Sequence, residues 1–195
     1  MQHFSNQEIN LSSLPQFETV VLNRIESKYY KVILINIGII LLLLGLGLGT
    51  LWSINAKLFP DIIWVIIGIV YVLVTLTSFI FSRLSFERRG FAFREHDAIY
   101  KSGVIAQTTT IVPYKRVQHV ALHQGLFSRY FGLASLELFT AGGSTTDLEI
   151  KGLKLEEAQQ YKHWIIKKID DLAEETEEET AESIVEIKPN LDNEA

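Results

Sequence analysis

Hydrophobic residues in the first half of the chain are concentrated in two long uncharged runs. The first run, Val32 to Trp52, is apolar except for Asn36 and Thr50. The second run, Ile62 to Phe81, is apolar except for a few residues with hydroxyl side chains. At a rise of 1.5 Å per residue each run forms a helix of roughly 30 Å, which matches the hydrocarbon thickness of a bilayer. Neither run has a polar face that would suit the surface of a soluble protein. The pattern predicts two transmembrane helices, at about 32–52 and 62–81.

The short segment between the two runs predicts a tight antiparallel hairpin over residues 32–82. Basic residues flank the hairpin on both sides, while the connecting segment carries one Lys and one Asp. The positive-inside rule therefore predicts that both termini are cytoplasmic. Because neither run contains Asp, Glu, Lys, Arg or His, a transporter or channel acting alone is not expected.

Glycines are frequent in the first run, and Gly45 and Gly49 form a G-x-x-x-G pattern. One interpretation is a close helix–helix contact, either within the hairpin or between copies of the chain. The other is that glycine is simply common in membrane-spanning helices. The sequence leaves both interpretations open.

After residue 90 the pattern changes to short β-like segments separated by turn signals. The predicted strands are 91–93, 98–101, 104–112, 117–123, 134–140 and 146–151. From residue 154 to about Leu172, apolar residues recur at steps of three and four, which predicts an amphipathic helix anchored by Trp164. Residues 83–172 are therefore predicted to form a small antiparallel β-barrel, closed at one end by a C-terminal helix.

The two ends of the chain are polar. In residues 1–31, Phe17, Val20, Val21, Ile25 and Tyr29 recur at helical spacing. This predicts either a short amphipathic helix on the membrane or on the domain, or an extension of the first spanning helix. Residues 173–195 carry nine acidic groups and one Lys, and are predicted to be a disordered acidic tail. The formal net charge of −5 originates in this tail, because residues 83–172 carry a net charge of +3.

Groups that could carry out catalysis are scarce. The absence of Cys excludes disulfides, thiolate metal sites and Cys nucleophiles. His119 and His123 would share one face of a strand, but no third metal ligand is near them in sequence. Glu95 and Asp97 fall in a predicted tight turn, where turn chemistry explains them better than acid–base catalysis. We therefore expect no catalytic residues, no cofactor, no metal site and no nucleic-acid partner.

Two groups of polar residues are candidate contact sites. One group is Arg116, Gln118, Gln124 and Arg129, which are interleaved with apolar residues. Either they contact a partner chain or an anionic headgroup, or Gln118 and Arg129 satisfy backbone groups inside the domain. Arg83, Arg88 and Arg89 lie at the membrane exit of the second helix. Each such charge contributes on the order of 1 kcal/mol near anionic lipid, so these three are expected to contact the membrane surface.

A family resemblance rests on two stretches of this domain. The residues VPYKRVQHV (112–120) and QGLFSRYFGLA (124–134), followed by TAGG (140–143) and Gly152-Leu153, resemble bacterial pleckstrin-homology-like (PH-like), membrane-flanked domain proteins of the YdbS type. The resemblance covers about residues 15–172. It implies a PH-like split β-barrel on the cytoplasmic side of a bacterial plasma (inner) membrane, without established catalytic residues. It also implies a larger membrane partner that carries related PH-like domains.

Together, the predicted fold class is membrane α + β, with a two-helix transmembrane hairpin followed by a PH-like split β-barrel and a C-terminal helix. The predicted function is that of a non-enzymatic binding or scaffold protein, which docks a membrane partner or the lipid surface. The alternative is an accessory subunit of a membrane enzyme or exporter that acts through its hairpin. A homo-oligomer also remains open. A linker of about nine residues, 82–90, would keep the domain within roughly 30 Å of the bilayer.

Overall fold

The computed structural model describes residues 19–55, 60–141 and 146–191, which contain seven strands, four α-helices and one turn of 3-10 helix at Tyr114–Arg116. The elements follow one another as β1 (Asn23–Arg24), α1 (Lys28–Asn55), α2 (Asp61–Glu87), β2 (Gly90–Phe93), β3 (Asp97–Ser102), β4 (Thr108–Pro113), β5 (Val117–His123), α3 (Leu126–Tyr130), β6 (Leu133–Thr140), β7 (Leu148–Lys154) and α4 (Leu155–Leu191). The predicted contributions of Phe17, of the 56–59 connection and of the turn at Gly142-Gly143 lie outside the described residues.

Helices α1 and α2 contain the two predicted transmembrane runs and extend beyond them. Their spans, Lys28–Ile54 and Asp61–Glu87, have mean hydropathies of 2.7 and 2.5 and are long and apolar enough to cross a membrane. Large apolar side chains along both helices are uncovered by the rest of the chain; Leu43 and Ile62 are each 63% exposed. A soluble protein rarely exposes a continuous apolar surface of this size, so the hairpin needs an apolar environment.

The domain consists of two antiparallel sheets with a helix across one end. Strands β1-β2-β3-β4 form one sheet and β5-β6-β7 form the other. In the first sheet Ile99 pairs with Ile111, and in the second Val120 pairs with Leu138. Among the described strands no pairing joins the two sheets into a closed barrel, which refines the predicted barrel to an open two-sheet arrangement.

The strand predicted to start at Val104 begins four residues later, at Thr108. Gly103 has a φ of +110°, a left-handed conformation that favours glycine, and the backbone turns there. Residues 104–107 are therefore a loop between β3 and β4, although Val104 and Ile105 are β-branched. Tertiary context overrides strand propensity at this point.

The hydrophobic core lies between the two sheets and α4. Leu136, Leu138, Ile150 and Ile165 are completely buried, and Trp164 packs edge-to-face on the buried ring of Tyr114 at 5.6 Å. The amphipathic face predicted for 154–172 is therefore the face that covers the sheets. The helix was predicted to end near Leu172 and to give way to a disordered tail, but it continues to Leu191. Glu and Ala dominate residues 173–182, and both are strong helix formers.

The segment before α1 belongs to the domain. Asn23–Arg24 pairs with Gly90 and Phe91 of β2, while Ile25, Tyr29 and Val32 are buried in the domain core. Neither the amphipathic helix predicted within residues 1–31 nor the alternative extension of the first spanning helix covers residues 20–25, because β1 lies there and Ile25 reaches the core directly after this strand. Only the part from Lys28 extends the first spanning helix. The predicted domain boundary at residue 83 omitted this segment.

The expected nine-residue linker is much shorter. Helix α2 continues to Glu87, so only Arg88 and Arg89 separate it from β2. The hairpin is thus inserted between β1 and β2, which pair with each other in the first sheet. Both of its helices enter the domain at adjacent positions.

Candidate functional site

The junction between α1 and the domain is tightly packed at Gly152 of β7. Gly152 has a φ of +79°, and a Cβ at this position would lie 2.6 Å from Ile25 Cγ2 and 2.7 Å from Tyr29 Cβ. The backbone N–H of Glu26 donates to the carbonyl oxygen of Gly152 at 3.2 Å. The first turn of α1 therefore rests directly on the backbone of the second sheet, and only glycine leaves room for it.

A second contact closes the junction on the side of α2. The rings of Tyr30 in α1 and Phe86 in α2 lie 5.5 Å apart, and Phe86 packs against the domain core. At the start of β2, a Cβ on Gly90 would lie 2.9 Å from Leu22 Cβ. Both helices are therefore held to the domain by packed side chains as well as by the chain itself.

The three basic residues predicted to contact the membrane have three different environments. Arg83 pairs with Glu87 at 3.1 Å on an exposed face of α2. Arg88 Nη1 donates to the carbonyl oxygen of Val104 at 2.7 Å, and Arg89 Nη2 donates to Ser85 Oγ at 3.2 Å. Arg83 is therefore exposed but paired with Glu87, Arg88 holds the 104–107 loop, and Arg89 folds back along α2.

The loop held by Arg88 carries an apolar side chain that the sequence analysis did not single out. Ile105 is 91% exposed at the tip of this loop. Because Arg88 directly follows α2, the loop lies beside the end of that helix. The sequence signal for an exposed loop was the Ser102-Gly103 pair, but the β-branched residues after it favoured a strand.

The structure does not bring Arg116, Gln118, Gln124 and Arg129 into one site. Arg116 precedes β5, a strand of seven residues that extends over roughly 23 Å, whereas Arg129 lies in α3 beyond the far end of this strand. Gln124 Nε2 donates to the carbonyl oxygen of Leu133 at 2.8 Å and so ties the end of β5 to the start of β6. Gln124 therefore has the structural role, whereas the other three side chains are exposed.

The start of β5 carries a separate polar cluster with Asp147. The hydroxyl and backbone N–H of Thr140 donate to Asp147 Oδ2 at 2.7 and 2.8 Å. These two hydrogen bonds, together with the nearby charge of Arg116, hold the pKa of Asp147 below its usual value. The cluster links the end of β6 to the residue before β7, and Asp147 is the acidic group near Arg116.

Helix α3 presents a second group of exposed residues. Leu126 is 79% and Tyr130 84% exposed, and Arg129 between them is exposed as well. Phe127 of α3 and Phe131, which directly follows the helix, pack against the core instead. We call Leu126, Arg129 and Tyr130 the α3 patch. Tyr and Arg are enriched in protein interfaces. The helix that carries this patch packs against β6 and lies close to α1.

His119 and Asp97 each contact a neighbouring side chain within the domain. His119 stacks on Phe139 with ring centroids 4.2 Å apart. Arg94 Nε donates to Asp97 Oδ1 at 2.6 Å across the β2–β3 turn, as expected for a turn residue. Within residues 19–55, 60–141 and 146–191, no group of three or more His, Cys, Asp or Glu could hold a metal ion.

The two glycines of the G-x-x-x-G pattern differ. A Cβ on Gly45 would lie 3.0 Å from Tyr71 Oη, and the Tyr71 hydroxyl donates to the carbonyl oxygen of Leu41 at 3.0 Å. Gly45 therefore allows a close contact within the hairpin. A Cβ on Gly49 would meet no atom within 4 Å, and this residue lines an open groove of about 320 Å³ with Trp52 and Trp64.

The two-sheet domain, with its two apolar helices inserted between β1 and β2, falls within the match to a known protein family. The family described as "Bacterial PH domain" matches residues 13–169. The chain belongs to the bacterial PH domain family. The matched range includes β1 and the hairpin, which agrees with the placement of the N-terminal segment in the domain. The predicted PH-like fold and family are confirmed.

Within this family, the chain is similar to the UPF0699 transmembrane protein YdbS of Bacillus subtilis (strain 168). The two are 32% identical over 98 residues, which are 50% of this chain and 60% of that protein. No solved structure matches the chain. The similarity to a transmembrane protein, together with the two long apolar helices, identifies this family member as a membrane protein.

Proposed function

We propose that this bacterial PH domain protein is a non-enzymatic, membrane-anchored docking module at the cytoplasmic face of the bacterial inner membrane. The observation that carries the proposal is the junction at Gly152, where α1 is seated on β7. A domain packed onto its own anchor keeps one height and one orientation relative to the bilayer. Such a geometry suits recognition of a neighbour in the same membrane.

The cytoplasmic orientation is supported by the distribution of charge around the hairpin. Lys28 and Lys31 are exposed at the domain end of α1, and Arg83 and Arg88 are exposed at the domain end of α2. Positive charges concentrate on the cytoplasmic side of membrane proteins, so the domain and both ends of the hairpin belong on that side.

The α3 patch is the proposed docking surface. It combines an exposed Tyr, an exposed Arg and an exposed Leu on a short helix whose other face is packed into the core. Aromatic and Arg side chains dominate binding energy in protein interfaces. The proposed partner is a larger membrane protein with related PH-like domains, as the family resemblance suggests. Anchoring both proteins in one membrane raises their effective concentration, so weak contacts become populated.

Partner recovery from native membranes tests this proposal. The full chain is purified in mild detergent, and co-purifying membrane proteins are quantified by mass spectrometry. Arg129→Ala and Tyr130→Ala are expected to reduce recovery of a PH-domain-containing membrane protein by about tenfold or more. Arg116→Ala removes the same charge at the other end of β5 and serves as the matched control. Undiminished recovery with both α3 variants would contradict the proposal.

A second candidate function is that of an accessory subunit acting through the hairpin. The groove lined by Gly45, Gly49 and Gly68 between Trp52 and Trp64 supports this candidate, because small residues allow a partner helix to approach closely. Gly49→Leu distinguishes the two functions, since its side chain would enter the open groove. If Gly49→Leu abolishes partner recovery and Tyr130→Ala does not, the hairpin function replaces the α3 function.

A further inference from the structure

A separate groove lies between α1 and α2 at the domain end of the hairpin. It has a volume of about 420 Å³, and its apolar walls include Ile33 and Ile37 of α1 and Phe81 of α2. The α1 residues that line it extend from Ile33 to Leu41, a length of about 12 Å. This length and these apolar walls suit a flexible hydrocarbon chain. The groove is open along one side, so a chain can enter it from the membrane.

One end of this groove is polar. Ser82, Ser85 and Arg89 line it there. The Ser82 hydroxyl donates to the carbonyl oxygen of Phe79 at 2.9 Å, while Ser85 Oγ accepts from Arg89 Nη2 at 3.2 Å. The Ser85 hydroxyl hydrogen is therefore available to an acceptor in the groove. An apolar groove with a cationic end is complementary to an amphiphile that has an apolar tail and an anionic head.

Arg89 is the group that demands a ligand. Its Nε is buried without a hydrogen-bond partner, and among the described residues no carboxylate lies within ion-pair distance of its guanidinium. Buried polar groups are normally paired, and a buried donor on a cation is especially costly to leave unpaired. Arg83, by contrast, has Glu87. Arg89 therefore carries an uncompensated positive charge at the mouth of the groove.

The depth of Arg89 matches the layer of lipid phosphates. The uncharged run of α2 ends at Phe81, and the Arg89 guanidinium folds back to Ser85, four residues or about 6 Å farther along the helix. The headgroup region extends about this far beyond the hydrocarbon core on each side of a bilayer. The cation thus stands where phosphate groups are concentrated, while Ile37 stands at the depth of acyl chains.

We propose that this groove binds one anionic membrane phospholipid, with its phosphate on Arg89 and one acyl chain between α1 and α2. The planar guanidinium matches phosphate geometry through two parallel hydrogen bonds, to which the Ser85 hydroxyl adds a third. Arg88 adds a second positive charge nearby, which favours an anionic headgroup over a zwitterionic one. The proposal is independent of partner docking through the α3 patch, which lies on a different element.

Lipid retention by the purified full chain, measured by native mass spectrometry, tests this site. The probes are phosphatidylglycerol and phosphatidylcholine with identical acyl chains, titrated into detergent micelles. The unmodified chain is expected to retain phosphatidylglycerol preferentially, and Arg89→Gln is expected to lower its affinity about tenfold. Arg83→Gln removes a charge from the same helix, where it is already paired with Glu87, and is expected to change retention little.

Two results with these variants and lipids would overturn the lipid site. Equal retention by Arg89→Gln and Arg83→Gln, or equal retention of the two lipids, removes the role of Arg89. A second variant serves if Arg89→Gln lowers thermal stability. Ile37→Phe narrows the groove without changing its charge, and unchanged lipid retention in that variant also overturns the site.

A second copy of the chain in the groove is tested by Ile37→Cys, because the chain contains no other Cys. Disulfide-linked dimers in native membranes would assign the groove to a protein contact. Loss of partner recovery in Tyr130→Ala with intact lipid retention separates this site from the proposed function.

Discussion

Replacing Gly152 by Ala tests the seat of α1 on the domain. The substitution adds one methyl group where the Cβ would lie within 2.7 Å of both Ile25 Cγ2 and Tyr29 Cβ, and it does so at a φ of +79°. Gly132→Ala is the matched control, because Gly132 has a φ of +68° but no heavy atom within 4 Å of its Cβ. The two variants share the backbone penalty and differ in the contact with α1.

The expected magnitudes follow from these two contributions. A left-handed conformation costs an L-residue about 1–2 kcal/mol, which is the whole effect expected for Gly132→Ala. Overpacking a close contact costs about 1–3 kcal/mol more, so Gly152→Ala is expected to lose roughly 2–5 kcal/mol. That is a large share of the 5–15 kcal/mol that stabilises a typical domain.

Thermal unfolding of the two variants in the same detergent measures the difference. For a domain of about 100 residues, 1 kcal/mol corresponds to a shift of Tm by about 4–8 °C. Gly152→Ala is therefore expected to melt at least about 4 °C below Gly132→Ala. Gly125→Ala, at an unstrained and open position, sets the baseline. Equal Tm values for Gly152→Ala and Gly132→Ala would refute the packing of α1 on β7.

Three further variants test other parts of the fold. Gln124→Ala leaves the β6 carbonyl without its partner and is expected to destabilise the domain by about 1 kcal/mol in thermal unfolding, while Gln118→Ala at an exposed position stays within about 0.5 kcal/mol. Asp147 has a lowered pKa in the folded state, so its stabilising effect is present above the ordinary value of 3.8 and is lost as the pH falls through the lower folded value. Asp147→Asn is expected to flatten the acid side of the stability profile, and an unchanged profile would contradict this linkage. Gly45→Leu is expected to disrupt the contact of α1 with Tyr71 of α2 and so to speed up hydrogen exchange in α1. Gly47→Leu, at a position with open space, is the control, and equal exchange rates in the two variants would contradict the contact.

The sequence predicts the elements whose pattern is periodic and long. The uncharged runs at 32–52 and 62–81 identified the hairpin because their length and hydropathy suffice without tertiary information. The face of α4 that carries Ala158 and Ile165 was equally readable from its spacing of three and four. Most strand positions followed from short β-branched segments between turn signals.

The junction could not be predicted, because it depends on contacts between distant parts of the chain. Ile25 and Tyr29 are four residues apart, which favours a helix, yet Ile25 directly follows β1, whose Arg24 pairs with Gly90 across 65 intervening residues. The left-handed φ of Gly152 is likewise visible only once Tyr29 is placed above it. Local periodicity does not contain this information.

The candidate site residues show the same division. The stretch 112–134, on which the family resemblance rested, lies within the matched range, but Arg116 precedes β5 and Arg129 follows it in α3. Leu126 and Tyr130 were not singled out as contacts, because an apolar residue in a signature stretch suggests core packing. Exposure separates them from their neighbours Phe127 and Phe131.

The central claim is that the hairpin and the domain form one rigid unit. Because the chain has no Cys, nitroxide labels can be placed at Leu44→Cys on α1 and Gln118→Cys on β5 in an otherwise unmodified protein. Pulsed electron paramagnetic resonance in lipid nanodiscs then measures the distribution of distances between the two labels. The account predicts one narrow distribution that broadens when Gly152→Ala is added. A broad or multiple distribution in the protein without Gly152→Ala would contradict it.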